Sequence, residues 1–594
     1  MLPLRDAVLL PDNYAQYSQN TWLYKGTIRG FRISEAIYTL TRPHTSKQVY
    51  RIPLTDTDVP DFSNQGSLWL EFPDEYITGI RNPTVGDQYK RYYFFPSDKY
   101  VQDAGGWPTV PFYAPLTHLE TIGANPAISA SDYVYTLGVP VPAVAPGVTA
   151  PAVPSGIVAE YRTYLYTWVT GFGEEGPPSP PTVAGGDPNG TWIITMTPPT
   201  ATDVLNRNLT NLRIYRTVID SSGNATYYQV VELPIGTTSY SDSNLDTSIV
   251  NNYVMPSVLY TGPPAGLQGV VSMANGILAG WTNEREIWFS AAYNPHAWPA
   301  TYALTVDYPV VGMVAIGSTL NIMTEGQPFI ASGTTPDTMT IGRVTANEPC
   351  VSRGSIFGAG EGAYYASPNG LILLNATGTV NTTLFSIERE FWNSRSPATW
   401  AAGKQAMSYF AFQKGFQYTD EDPDNGLVLD HIEKNVPCSM IRTSHCPVIN
   451  VYNDELSGFI FYLSEGGVRL INPTSGGSLL AWQWRSKKFR FQYPLQLKAF
   501  KIRFLVPPEV TITPPSNATR NNDQDQEYDQ TKQWLIARVY ADGRQIVVRE
   551  VVRDSEVLLI PDGFKSELWE FQFEGQVNMF LFKAASSVKQ LKAA

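Results

Sequence analysis

Four residues, His431, Cys438, His445 and Cys446, fall within sixteen positions and belong to the types that ligate zinc. Structural zinc sites pair ligands two to four residues apart, so that one turn presents both to the metal. Here six residues separate Cys438 from His445, and Cys446 follows at once. The spacing reads as loop residues rather than a metal centre. The run Glu421-Asp-Pro-Asp-Asn-Gly426 alternates oxygen donors as a calcium loop does but lacks the closing Glu, and Asp523-Gln-Asp-Gln-Glu527 has only its acidity. Both read as solvated turns. The stretch Gly354–Gly362 (GSIFGAGEG) is glycine-rich without the terminal Lys-Ser/Thr of a phosphate-binding loop, and it lies between strand patterns rather than before a helix. The sequence holds no G-x-S-x-G, no H-E-x-x-H and no Asp-box repeat. A carboxylate pair for glycoside hydrolysis need meet only in space, so the sequence leaves that chemistry open. No catalytic, cofactor-binding or metal-ligating residue is assigned, and the expectation is a protein that is not an enzyme.

The most informative cluster is basic and aromatic. Arg485, Lys487, Lys488, Arg490, Lys498, Lys501 and Arg503 follow one another with no intervening acid. Between Lys488 and Tyr493 the cations alternate with Phe489, Phe491 and Tyr493, and between Ala499 and Phe504 with Phe500, Ile502 and Phe504. A strand sends alternate side chains to opposite faces. The alternation therefore predicts aromatics toward a core and cations outward, as a solvated face or as a contact for DNA phosphates or an acidic partner.

The elements that must carry these residues are strands. Short runs rich in Tyr, Val, Thr and Ile, such as Thr191–Met196, Leu212–Thr217, Tyr227–Val231 and Gly458–Leu463, are bounded by Gly, Pro, Asn and Asp. Helix patterns are confined to Ile387–Asn393 and Ala584–Leu591. The class expected is all-β. Residues 1–138 form an N-terminal β-rich part, and 139–155, dense in Pro and Ala, a polyproline-like linker. Residues 156–252 match a fibronectin type III-like or immunoglobulin-like sandwich with Trp168 and Tyr215 buried. Over 253–505, turn signals recur near Asn283, at Glu325-Gly326, Asn369-Gly370, Asn425-Gly426 and Glu465-Gly466, at intervals of 42, 44, 56 and 40 residues. That period fits the four-stranded blades of a β-propeller, irregular or incomplete. Residues 506–530 read as an exposed loop and 531–594 as closing strands with a short tail.

Composition narrows the classes further. The chain has 594 residues, only 16% of them charged, with 42 Lys+Arg against 54 Asp+Glu. A net charge of −12 argues against a tight general nucleic-acid binder, which needs a cationic face to neutralise phosphates. It suits a surface past which DNA slides. Few charges leave room for a large subunit interface. Three cysteines, Cys350, Cys438 and Cys446, make no disulfide framework. Neither a signal peptide nor an apolar run of membrane-spanning length is read from the sequence.

An ordered set of passages resembles one family, the tail nozzle proteins of short-tailed bacteriophages, also called tail tubular protein B. The set comprises Ser67–Asp74 (SLWLEFPD), Ile80–Phe94, Tyr135–Pro142 (YTLGVPVP), Tyr164–Pro181 (YLYTWVTGFGEEGPPSPP), Glu284–Ser290, Asn294–Pro299, Leu568–Gly575 and Ala585–Leu591. The resemblance implies a homohexameric tube at the distal end of a short tail, made in the host cytoplasm and carried in the virion. It would join a head-to-tail adaptor ring to fibres or spikes and conduct double-stranded DNA during ejection without sequence-specific binding. No active site and no cofactor come with it. The alternative is a receptor-binding or glycan-degrading propeller. A secreted adhesin glycosylated at Asn208 and Asn517 is a third reading, disfavoured by the absence of a signal-peptide pattern.

Overall fold

A computed structural model describes residues 15–24, 27–32, 34–41, 46–54, 60–63, 65–102, 106–219, 225–384, 387–405, 408–415, 426–429, 438–441, 447–471, 479–505, 535–551 and 553–593. The fold is all-β, and its repeating unit is the four-stranded antiparallel sheet of a β-propeller blade. The chain divides into two compact units, residues 72–345 and residues 1–71 with 346–594.

The unit 72–345 contains three blades and an inserted sandwich. The first blade is Thr78–Arg81, Tyr92–Phe95, Phe112–Ala114 and Tyr135–Thr136; the second is Gln268–Ser272, Leu278–Thr282, Glu286–Phe289 and Leu304–Thr305; the third is Val310–Ile316, Thr319–Thr324, Phe329–Ser332 and Thr340–Arg343. The first strand of the second blade touches the first strands of both others, so the sheets stack face to face along one side. Neither face of a blade is solvated for most of its length, which is why Tyr93, Phe95, Leu278 and Trp298 fill one interblade core and Ala279, Ile287, Leu320 and Ile322 the next.

The other unit holds a fourth blade (Phe357–Ala359, Gly362–Ser367, Gly370–Asn375, Gly378–Asn381) and a fifth (Trp400–Gln405, Ser408–Gln413, Gly426–Leu429, Cys438–Ile441). A sixth uses Asn450–Asp454, Phe459–Ser464 and Gly467–Ile471, and its fourth strand is Glu35–Tyr38. The turns expected near Asn283, Glu325, Asn369 and Glu465 all connect the second strand of a blade to its third. Asn283 and Glu284 both have positive φ within the three-residue loop that joins Thr282 to its partner Glu286. Asn425 lies outside the described residues, and Gly426 opens the third strand of the fifth blade.

The insert is a seven-stranded sandwich. Gly147–Thr149, Trp192–Thr195 and Ser239–Asp242 form one sheet. Thr182–Gly186, Glu160–Thr170, Leu209–Ile219 and Ala225–Pro234 form the other. Trp168 lies in the core between them, and Tyr215 is buried beneath Met255 on the outer face of the larger sheet. The segment 139–155 is therefore not a bare linker. Val139 is buried, and Gly147–Thr149 pairs strand to strand between prolines that flank it without interrupting it.

Strands Trp482–Ser486 and Ala499–Leu505, expected among the blades, belong instead to a terminal sandwich. One of its sheets contains Ala15–Gln19, Trp482–Ser486, Ser566–Gly575, Leu535–Ala541 and Arg544–Val551; the facing sheet contains Thr21–Tyr24, Thr27–Gly30, Asn578–Ala585, Ala499–Leu505 and Val557–Leu559. Trp482, Phe500, Ile502, Trp569 and Phe573 make its core. Of the expected helices, the first is found at Arg389–Ser394; the second starts later, because the last strand runs to Ala585 and the helix is Val588–Ala593. A nine-residue helix, Leu116–Ala124, was not foreseen. No helix among the described residues is long and apolar enough to cross a membrane.

Candidate functional site

Two regions concentrate the polar and aromatic side chains that could act on something else: the root of the insert and one edge of the terminal sandwich. The root is built on the loop that follows strand Glu160–Thr170, reading Gly171-Phe-Gly-Glu-Glu-Gly176. Gly173 has positive φ, which lets the loop turn back sharply and present Phe172, Glu174 and Glu175 together. Phe172 packs edge-on against Tyr89, Tyr113 and Tyr135. The Arg91 guanidinium lies 5.0 Å from its ring centre and donates to Glu174 Oε1 at 2.6 Å and to Asp87 at 3.0 Å. Tyr93 donates its hydroxyl to the same Glu174 oxygen at 3.2 Å. Glu175 accepts from Thr167 and Arg213, each at 2.8 Å, and from Ser257 at 3.2 Å. His296 Nε2 donates to the Glu175 carbonyl at 3.1 Å.

The electrostatics follow from this burial. Desolvation works against the charged form of Arg91, but Tyr93, Glu174 and Asp87 more than restore it and its pKa lies above the usual value. Burial pushes the Tyr93 and Tyr113 hydroxyls well above the usual phenol range, with Glu174 adding to the effect. It lowers the pKa of His296, holding the imidazole neutral. Arg91, Tyr93, Glu174 and Glu175 are each hydrogen-bonded to side chains inside the protein. The arrangement welds the insert to the first two blades, and sequence reasoning missed it because Glu174 and Glu175 read as part of a polar turn.

Beside the root lies a cleft of about 770 Å³ within the same unit, walled by Pro96, Pro111, Pro140, Pro263, Tyr100 and Tyr260. Arg207 reaches into its wall and donates to the carbonyls of Leu137 and Gly138 at 2.9 and 2.7 Å. Asp98 is the one carboxylate among the described residues that line it.

The basic cluster is split between the two sheets of the terminal sandwich. Arg485 donates to Glu570 at 2.8 and 3.1 Å and lies over the Tyr540 ring. Lys498 pairs with Asp562 at 3.5 Å, and Lys501 stands across the strand from Lys583. Alternation holds in Ala499–Leu505, where Phe500, Ile502 and Phe504 are buried and Arg503 is exposed. It fails in Phe489–Leu495. There Phe491 is 38% and Tyr493 79% exposed, so these aromatics do not face the core as expected. The physical reason is pairing. The strand matches Phe489 to Trp569 and Arg490 to Leu568, then loses register until Leu495 meets Ser566. Between those points the backbone bulges off the sheet and its residues are exposed. Phe489 and Phe491 wall an apolar cavity of about 230 Å³ with Trp484, Phe571, Phe573 and Phe582.

The remaining sequence candidates are described only in part. His431, His445 and Cys446 lie outside the described residues, as do Glu421–Asn425, Asp523–Glu527 and 506–530. Cys438 opens the fourth strand of the fifth blade. The glycine-rich stretch forms a 3-10 turn, Arg353–Ser355, followed by the first hairpin of the fourth blade. Cys350 is buried, which pushes its thiol up to about 12 and suppresses the thiolate. Among the described residues no three His, Cys, Asp or Glu gather so as to hold a metal ion.

No family model matches the chain, and no curated protein matches it. Solved structures similar to it include the N-terminal domain of Nup159, at 9% identity and a TM-score of 0.24 over 44% of this chain and 73% of that one. The Neurospora crassa Pan2 WD40 domain is similar at 7% identity and a TM-score of 0.24, over 50% and 86% of the two chains. Kluyvelomyces marxianus Hsv2 is similar at 7% identity and a TM-score of 0.23, over 62% and 96%.

Proposed function

We propose that this chain is a structural virion protein: a tail nozzle subunit that assembles as a hexamer around a passage for double-stranded DNA, between an adaptor ring and fibres or spikes. The observation that carries the reading is the edge of the terminal sandwich. Phe491 and Tyr493 stand exposed beside an apolar cavity, and contiguous patches of this kind mark surfaces that another protein covers. The buried ionic root of the insert supports it too, since a tube under load needs appended domains fixed to its wall rather than tethered. So does the ordered likeness of eight passages to the nozzle family. In a closed ring each subunit presents two different faces, so a patch on one needs its complement elsewhere on the same chain.

The cleft walled by Tyr100 and Tyr260 favours the rival reading of a carbohydrate-binding tail protein, because aromatic rings make sugar platforms. Among the described residues that wall it, Asp98 is the one carboxylate, short of the pair that glycoside hydrolysis uses. Light-scattering mass and negative-stain images of the purified chain decide between them. A six-fold ring with an open centre is the expected result. A monomer or trimer that cleaves capsular or lipopolysaccharide glycans would overturn the nozzle reading.

A further inference from the structure

The charges of this chain are segregated. Between Val101 and Gly403 there is no lysine at all. The unit 72–345 carries 10 Lys+Arg against 21 Asp+Glu, a net −11 of the chain's −12. Residues 482–505 and 535–593 of the terminal sandwich carry 15 Lys+Arg against 8 Asp+Glu, a net +7.

The structure sharpens the contrast at the insert. Its four cations, Arg162, Arg207, Arg213 and Arg216, are all spent internally. Arg216 is buried against Asp242 and Asp246, Arg162 against Glu160, and Arg213 between Glu175 and Glu232, while Arg207 holds two carbonyls. The charge that the described insert offers to solvent is therefore acidic. Glu232 and Asp246 keep about a third of their side chains exposed. On the edge of the larger sheet Tyr161 lies across Gly185 and is 70% exposed, and Val183 on the edge strand is 63% exposed. The terminal sandwich presents the opposite character: Phe491 and Tyr493 flanked by Lys488 and Arg490, neither of which pairs with a carboxylate among the described residues.

We infer that the edge strand Phe489–Leu495 of one copy docks on the insert of a second copy, its aromatics against the Tyr161–Val183 edge and its cations toward the insert's carboxylates. The inference rests on the assembly reading above and supplies its two unlike faces. Complementary charge fixes register and partner choice in such contacts, and an apolar centre supplies the affinity. A head-to-tail contact of this form propagates around a ring.

Carbodiimide coupling, which joins a lysine amine to a carboxylate without a spacer, tests it. An equal mixture of 15N-labelled and unlabelled full-length protein is coupled and digested. Mixed-isotope peptides joining Lys487 or Lys488 to Glu232, Asp246 or another insert carboxylate are expected. Since the insert has no lysine, the direction of each bond is unambiguous. Lys488→Glu with Arg490→Glu, and separately Phe491→Ser with Tyr493→Ser, are expected to weaken assembly on the order of 100-fold without lowering the thermal midpoint. Insert couplings confined to single-isotope peptides, or a full-size ring in both double variants, overturn the inference while leaving the nozzle reading standing. A wild-type chain that stays monomeric at low salt removes both.

Discussion

Arg91 and Glu174, 83 residues apart in sequence, meet at 2.6 Å where the first blade adjoins the insert. Both side chains are about nine-tenths buried, so neither charge is hydrated and each depends on the other. Replacing a buried pair by apolar residues is often tolerated, whereas removing one partner strands the other. Arg91→Met is thus expected to destabilise the chain by about 3 kcal/mol or more. Urea denaturation followed by tryptophan fluorescence measures this; an unchanged midpoint would show that the root does not bear on stability.

His296 gives the root a pH dependence. Its Nε2 donates to the Glu175 carbonyl and its Nδ1 is buried without a hydrogen-bond partner, so a second proton has nowhere to go. Burial lowers its pKa from the ordinary imidazole value, and the unfolded chain binds the proton more readily than the native one. The stability it contributes is full above about pH 6.5 and is lost as pH falls toward its depressed native value. The denaturation midpoint should drop between pH 7.5 and 5.5 in the wild type. His296→Gln, which keeps a donor but does not titrate, should flatten that slope.

Cys350 makes the opposite prediction at alkaline pH. Its thiol donates to the Ser352 carbonyl at 3.5 Å in a fully buried setting, and its pKa rises from 9.0 to about 12. The neutral form is favoured by the fold, so its contribution is intact below pH 9 and lost as pH rises toward 12. In a chain carrying Cys438→Ser and Cys446→Ser, a maleimide at pH 8 should label Cys350 only after denaturant is added. Rapid labelling of the native protein would show the pocket to be open.

Some of this architecture was legible in the sequence and some was not, for reasons of range. Turn chemistry is local: Asn283 and Gly370 adopt positive φ, which asparagine and glycine tolerate better than other residues, and the blade period was legible from turns of this kind. Strand alternation predicted the burial of Phe500, Ile502 and Phe504 because that strand pairs along its whole length. The same rule misplaced Phe491 and Tyr493, since a register break is decided by the partner strand. Glu174 and Glu175 looked like turn residues because their donors come from Arg91, Arg213 and Ser257, all far along the chain. The helix Leu116–Ala124 buries only Leu119 and Ile122, too little apolar periodicity to stand out.

The sixth blade depends on a connection across most of the chain. Its fourth strand, Glu35–Tyr38, pairs Tyr38 with Val468, Ala36 with Arg469 and Glu35 with Leu470, more than 400 residues away. Tyr38 also stacks on Trp69 and donates to Glu71, whose carboxyl burial would raise but which donors from Ser46, Thr41 and Tyr38 hold below its usual range. The strand thus covers the edge of Gly467–Ile471, whose unpaired amides would otherwise be open to strands of other molecules. Ala36→Pro removes a backbone donor at the middle of the pairing and fixes φ where the strand needs a more extended value. Ala36 is exposed, so the blades should survive while the edge is uncovered. Expected are new cleavage by trypsin at Arg29 or Arg32 and concentration-dependent aggregation with thioflavin binding. A variant that resists trypsin and stays dispersed at high concentration would mean that the sixth blade is closed without this strand.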